Sequence, residues 1–149
     1  MADISLSRRI DAPIEKVWSA ITDLERSAET ISSILKIERL GAGSGFDVGT
    51  RWRETRKFFG KQATEEMEVT AIEPLRSYVV KADSHKVHYI SEFSVEEAGG
   101  QTLLSMTFDA EPQGPLTKLM AETVGRLMKG ATRKALQKDL DEIAKAVED

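Results

Sequence analysis

The feature that most constrains this chain lies on either side of Gly99-Gly100. A glycine pair between two alternating runs is a hairpin signal, because the central residues of the favoured tight turns adopt positive φ. With the turn placed there, Val95 meets Leu104, Phe93 meets Met106, Ser91 meets Phe108 and Tyr89 meets Ala110, all on one face. The opposite face carries Glu92, Ser94, Glu96, Ser105, Thr107 and Asp109. A one-residue slip would mix the two sets, so the pattern specifies its own register. An antiparallel sheet with one apolar face must have that face covered.

The same reasoning places a second hairpin at Gly60-Lys61. Arg53 then faces Glu68 and Thr55 faces Glu66 on the outer side, a favourable placement of charge. The inner pairs are Trp52 with Val69, Glu54 with Met67, Arg56 with Glu65, and Phe58 with Ala63. This inner face is apolar apart from Glu54, Arg56 and Glu65. On one reading these charges lie at a wet rim, or Arg56 and Glu65 pair. On the other they form a polar patch inside an apolar pocket, where buried charges need partners and mark a site.

The remaining segments surround these hairpins. Ile4 to Ile10 alternates and reads as a first strand. From Pro13 the spacing turns helical, with Ile14, Val17, Trp18 and Ile21 on one face and Glu15 in the first turn. Asp23 caps a second short helix that ends near Ile31. Ile34 to Leu40 is a strand leading into a loop with Gly41, Gly43, Gly45 and Gly49. Further strands run from Thr50 to Phe58, Ala63 to Ile72, Arg76 to Ala82, Val87 to Glu96 and Thr102 to Glu111. Leu116 to Val147 is a long helical pattern with Pro115 suited to its first turn. The order is strand, two helices, six strands and a long helix. A curved sheet against one long helix leaves space between them if the lining side chains are modest in size.

Length and composition exclude several classes. The 149 residues, 16.5 kDa, fit one ordinary domain spanning 1–149. A chain of this size buries roughly 70% of its unfolded surface, enough for a core of its own. It has no cysteine, which removes disulfides and Cys-ligated metals. The net charge of -4 and pI near 5.3 argue against a general nucleic-acid binder. No apolar run approaches the roughly 18–20 residues of a membrane span. Residues 1–10 contain Asp3, Arg8 and Arg9 and no apolar signal core, so a cytoplasmic protein is expected.

Several motifs in order resemble one family. Asp11-Ala12-Pro13-Ile14-Glu15-Lys16-Val17-Trp18 is similar to the opening of the START-like (SRPBCC, Bet v 1-like) superfamily, in its polyketide cyclase/dehydrase and lipid-transport-like branch. Val48-Gly49-Thr50-Arg51-Trp52-Arg53 after the glycine loop resembles it too. So do Glu68-Val69-Thr70-Ala71-Ile72-Glu73-Pro74, then Glu111-Pro112 and Gly114-Pro115 before the long helix. The resemblance covers nearly the whole chain. It implies an α+β, helix-grip fold: a curved seven-stranded antiparallel sheet wrapped around a long C-terminal helix, with two short helices after the first strand. It also implies binding of a hydrophobic small molecule between sheet and helix. Many relatives carry a Trp in the second short helix, whereas this stretch reads Ser27-Ala28-Glu29-Thr30-Ile31, so the shape of the entrance does not carry over. The fold hosts lipid carriers, receptors, cyclases and chaperone co-factors, and does not by itself define a function.

The residues themselves narrow the chemistry. His85 precedes the strand that contains His88, and residues three apart on an extended chain face opposite ways. They make a poor joint metal site, and no nucleophile–His–acid triad is expected. No metal or cofactor is called for. Gly41-Ala42-Gly43-Ser44-Gly45 lacks the Lys-Ser/Thr of a phosphate loop and precedes a strand, so it reads as a gate or wide turn. The best site candidate is the inner face: Trp52, Glu54, Arg56, Met67, Val69, Tyr89, Ser91, Phe93, Met106 and Phe108, with Leu119, Met120, Thr123 and Leu127 from the long helix. Such a set suits either a solid core or a mostly apolar cavity with a few polar groups.

The long helix has an unusual stripe. Leu116, Met120, Val124 and Leu127 share one side, while Leu136, Leu140, Ile143 and Val147 lie nearly opposite. Gly125, Gly130 and Thr132 sit near the change, which predicts a bend or break there, or halves packed on different surfaces. Lys118, Arg126, Lys129, Arg133, Lys134 and Lys138, followed by the acidic Asp139, Asp141, Glu142, Glu148 and Asp149 toward the end, read as a solvated face; stable membrane insertion is not expected.

Three functions remain. The first is a binding module for an apolar or aromatic molecule, lipid- or polyketide-like, oriented by Glu54, Arg56, Tyr89 and Ser91. The second is a metal-free cyclase/dehydratase-type enzyme acting by positioning, with Arg56 or Tyr89 stabilising enolate charge and Glu54 or Glu65 as base. The third is a protein-interaction module, chaperone- or ribosome-associated, marked by an exposed apolar patch without a cavity. A monomer or weak dimer is expected.

Overall fold

The computed structural model describes residues 4–58, 60–84 and 87–148, apart from the side chains at 58, 84, 120, 121 and 123–128. Strand β1 (Ile4–Ile10) is followed by helix α1 (Ile14–Ile21), a 3-10 turn (Leu24–Arg26) and helix α2 (Ser27–Thr30). Strands β2 (Ile34–Leu40), β3 (Arg51–Phe58), β4 (Lys61–Glu73), β5 (Ser77–Ser84), β6 (Val87–Ala98) and β7 (Gln101–Pro112) follow, and helix α3 (Pro115–Val147) ends the chain. All seven strands form one antiparallel sheet in the order β1-β7-β6-β5-β4-β3-β2. β1 and β2 therefore lie at opposite edges, and the α1–α2 segment carries the chain from one to the other. Register irregularities at Ile34/Lys36 and Val69/Ala71 bend the sheet locally.

The Gly99-Gly100 hairpin has the register expected from its sequence. Val95 pairs with Leu104, Phe93 with Met106, Ser91 with Phe108 and Tyr89 with Ala110. Both glycines have positive φ, 59° and 86°. The other hairpin is displaced by two residues from expectation. Phe58 pairs with Lys61, so Glu54 faces Glu65, Arg56 faces Ala63 and Trp52 faces Met67. On the outer side Arg51 faces Glu68 and Arg53 faces Glu66. A shift of two leaves each residue on its own face, so alternation alone does not separate the two registers.

The second short helix also differs from expectation. It divides into the 3-10 turn and α2, and the Asp23 side chain makes no cap. Instead the Ser27 hydroxyl donates to the Asp23 carbonyl at 3.2 Å. Helix α3 begins with Pro115 in its first turn after Gly114, whose φ is 88°. It runs unbroken over 33 residues. An interior glycine costs only about 1 kcal/mol against alanine, which neighbouring helical hydrogen bonds and packing readily offset. The two halves do differ in environment. Leu136, Leu140, Ile143, Ala144 and Val147 are buried, whereas Leu116 and Leu119 are 71% and 63% exposed.

The core joins α1, the C-terminal half of α3 and the inner sheet face. Ile10, Val17, Val69, Leu104 and Leu140 are fully buried, each worth about 1.5–3 kcal/mol relative to exposure. Buried Thr102 donates to the Ala12 carbonyl at 2.7 Å and secures the chain where it leaves β1. Among the described residues no helix is long and apolar enough to cross a membrane.

Candidate functional site

Strand alternation decides which side chains face α3. On β3 these are Trp52, Glu54 and Arg56; on β4, Ala63, Glu65 and Met67; on β5, Tyr78, Val80 and Ala82. β6 contributes Tyr89, Ser91 and Phe93, and β7 contributes Met106 and Phe108. Opposite them stand Ile21 of α1, Leu24, Ile31, Phe46 of the glycine loop, and Leu136 and Ile143 of α3. Between these surfaces is a cavity of about 390 Å³. Cavities of this size lined mainly by apolar and aromatic groups, with few polar ones, suit small molecules.

The aromatic residues are arranged as flat surfaces. Tyr78 stacks on Phe93 with centroids 5.2 Å apart and planes at 22°, and Tyr89 stacks on Phe108 at 5.7 Å and 18°. Phe46 meets Tyr78 edge-on at 4.8 Å. Arg39 holds the loop that carries Phe46. It donates to Glu25 at 2.8 and 2.9 Å and to the Gly45 carbonyl at 2.8 Å. The hydrogen bonds from Arg39 lower the Glu25 pKa.

A buried polar network closes the wall between β3 and α3. Trp52 Nε1 donates to Glu54 Oε1 at 3.1 Å, and Arg56 Nε donates to Glu54 Oε2 at 2.7 Å. Arg56 Nη1 donates to Asp139 Oδ2 at 2.8 Å and to Ser33 Oγ at 3.1 Å. The Ser33 hydroxyl donates to Asp139 Oδ1 at 3.2 Å. Glu54 is 8% exposed and Asp139 5%. Burial works against the Arg56 charge, but Glu54 and Asp139 outweigh it and raise its pKa. Burial likewise pushes the Asp139 carboxyl above its ordinary value, against the pull of Arg56 and Ser33. The Tyr78 phenol, which donates to the Ile21 carbonyl at 3.0 Å, is held well above its usual pKa by burial and then by Glu54. Tyr89 is raised as well, by burial and then by the Glu65 charge.

Nine of the residues singled out from the sequence meet on the cavity wall: Trp52, Glu54, Arg56, Met67, Tyr89, Ser91, Phe93, Met106 and Phe108. Glu65, named as a candidate base, joins them. Val69 lies instead in the closed core, and Leu119 is exposed on α3. The side chains of Met120, Thr123 and Leu127 lie outside the described residues, as does His85. His88 points outward and is bonded to Asp83. The expected pairing of Arg56 with Glu65 is replaced by Glu54 and Asp139, a consequence of the two-residue change of register. Sequence reasoning missed Asp139, Tyr78 and Phe46. Asp139 falls three residues after Leu136 and four before Ile143, on the buried stripe of α3, and Tyr78 alternates with Val80 and Ala82. Those spacings carried the signal. Among the described residues no group of acidic or histidine side chains is placed to hold a metal.

Over residues 1–148 the sequence matches the family described as polyketide cyclase/dehydrase and lipid transport. The chain belongs to this family. Its sheet and long helix form the helix-grip fold of Bet v 1-like proteins. The Zhui aromatase/cyclase from Streptomyces sp. R1128 is 18% identical, with 97% of this chain and 92% of that one covered and a TM-score of 0.73. Truncated norcoclaurine synthase from Thalictrum flavum is 16% identical, with 97% and 91% covered and a TM-score of 0.73. TTHA0849 from Thermus thermophilus is 20% identical, with 96% and 97% covered and a TM-score of 0.70. At these identities the likeness establishes the fold. No curated protein sequence matches the chain.

Proposed function

We propose that this family member binds an apolar or aromatic small molecule, lipid- or polyketide-like, in the cavity between the sheet and α3. The observation that carries this reading is the cavity of about 390 Å³ itself, walled by stacked rings and methionines with few polar groups. Trp52, Met67, Phe93, Met106 and Phe108 supply the apolar wall, and Tyr89, Ser91, Glu54 and Arg56 orient the polar end of the ligand. The chain works as one domain over residues 1–149, as a monomer or weak dimer in the cytoplasm, without nucleic acid. A protein-interaction role would favour a closed interior, and the cavity counts against it. Native mass spectrometry of the protein purified from its own host is expected to show a retained small molecule. Bare protein that also fails to bind a panel of aromatic probes would contradict the proposal.

A second reading is an enzyme of the cyclase kind, favoured by the direct pairing of Glu54 with Glu65 on the inner wall beside Tyr89. One carboxylate takes a proton from carbon next to a carbonyl, and the enolate carbon attacks a second carbonyl held nearby. Tyr89 then protonates the new alkoxide, and the proton returns to Tyr89 from the carboxylic acid. Turnover of a poly-β-ketone thioester, lost in both Glu54→Gln and Glu65→Gln while folding is retained, would support this reading. Equal product formation with and without protein would exclude it for that substrate.

A further inference from the structure

The charges around the cavity narrow the class of ligand. Among the described residues, Arg56 is the sole cation of the lining. An arginine on a pocket wall ordinarily suggests a carboxylate ligand, because its planar fork matches that group. Here two of its three nitrogens are already engaged by the protein's own groups. Nε is bonded to Glu54, and Nη1 to Asp139 and Ser33. Two buried carboxylates thus flank one guanidinium, and the trio is net negative. A ligand carboxylate brought to Arg56 would meet Glu54 and Asp139 at close range, in a site withdrawn from water where like charges repel strongly.

The neighbouring polar groups of the wall are different in kind. Tyr89 and Ser91 on β6 present hydroxyls, which donate to or accept from a carbonyl, phenol or alcohol without requiring a countercharge. The stacked pairs Tyr78–Phe93 and Tyr89–Phe108 offer flat faces for an aromatic skeleton.

We infer that the cavity selects an uncharged aromatic molecule bearing a carbonyl or hydroxyl and rejects the carboxylate of the same skeleton. This rests on the reading of the cavity as a binding site. Asp139 is the hidden determinant: it lies outside the cavity lining, yet it neutralises the cation that would otherwise attract an anion.

The test compares 2-acetylnaphthalene with 2-naphthoate by isothermal titration of the full chain at pH 7. The ketone is expected to bind at least about tenfold more tightly, a difference of about 1.4 kcal/mol. Asp139→Asn, with its fold verified by circular dichroism, is expected to narrow that ratio about threefold or more by strengthening naphthoate binding. If the variant fails to fold, the wild-type ratio decides. Naphthoate binding as tight as the ketone in the wild type overturns the inference and leaves the binding site intact. An unchanged ratio in folded D139N overturns the assignment to Asp139. Binding of neither probe overturns the binding-site reading and the inference together.

Discussion

Replacing Arg56 with methionine tests whether the β3–α3 network is a coupled electrostatic unit. The side chain bonds Glu54 at 2.7 Å and Asp139 at 2.8 Å, and both carboxylates are more than nine-tenths buried. At an effective dielectric near 20, each contact is worth about 4 kcal/mol of gross attraction, largely offset by desolvation of the ions. Methionine keeps most of the volume but leaves two carboxylates uncompensated, which is expected to cost about 3–5 kcal/mol. Replacing the trio together by Glu54→Gln, Arg56→Met and Asp139→Asn removes the stranded charge and is expected to cost much less. Urea unfolding at pH 7 measures both. The pH dependence adds a check of sign. Without Arg56, the Asp139 carboxyl, already raised by burial, loses the cation that opposes that rise, so its ionisation opposes folding more strongly and the deficit shrinks as pH falls through the raised value. A loss under about 1 kcal/mol for R56M, or a deficit that grows on acidification from pH 7 to 5, would refute the reasoning.

In the wild type, the raised Asp139 pKa makes its contribution greatest below the unfolded value near 3.9 and smaller as pH rises through the folded value. Relative to D139N, wild-type stability is therefore expected to increase as pH falls through the raised folded value toward the unfolded one; the opposite slope in paired melts would contradict this. Filling the cavity by Ala82→Trp is expected to abolish probe binding while costing about 1–3 kcal/mol of stability; retained affinity would place the ligand elsewhere. Arg39→Ala frees the loop that carries Phe46, so amide exchange over residues 41–49 is expected to quicken; unchanged protection would show that the Arg39 contacts do not restrain it. Leu75 has φ 62° in the turn between β4 and β5, a conformation that costs roughly 1–2 kcal/mol for such a side chain. Leu75→Asn is accordingly expected to raise the melting temperature, and a lowered one would count against the strain.

The β6–β7 part of the fold could be read from this chain because its alternation is unambiguous. The Gly99-Gly100 hairpin mixes apolar and charged sets if slipped by one, and β6 and β7 pair as their residues demand. Family resemblance added the helix grip, which alternation could not supply. What escaped the sequence follows from physics that strand patterning does not encode. The β3–β4 register differs by two from expectation because both alternatives present Trp52, Glu54 and Arg56 to the same side. Alternation therefore gives Arg56 the wrong partner, and composition assigns Asp139 to the solvated acidic end of α3. Its place on the stripe of Leu136, Leu140 and Ile143 shows why that assignment fails: a charge on a buried face requires a counterion, and Arg56 is the inner-face cation available. The glycines of α3 suggested a bend or break, or halves packed on different surfaces; their small helical penalty leaves the helix continuous, and its two halves differ in burial.

The central claim is that a small molecule is held between the inner sheet face and α3. An NMR titration of the isotope-labelled chain with 2-acetylnaphthalene tests it most directly. Shifts and intermolecular contacts are expected at Met67, Tyr89, Ser91, Phe93, Met106, Phe108 and Leu136, with the outward-facing Glu92, Ser94, Ser105 and Thr107 largely unmoved. Saturable contacts confined to that outer face, or to the exposed Leu116 and Leu119, would contradict the account.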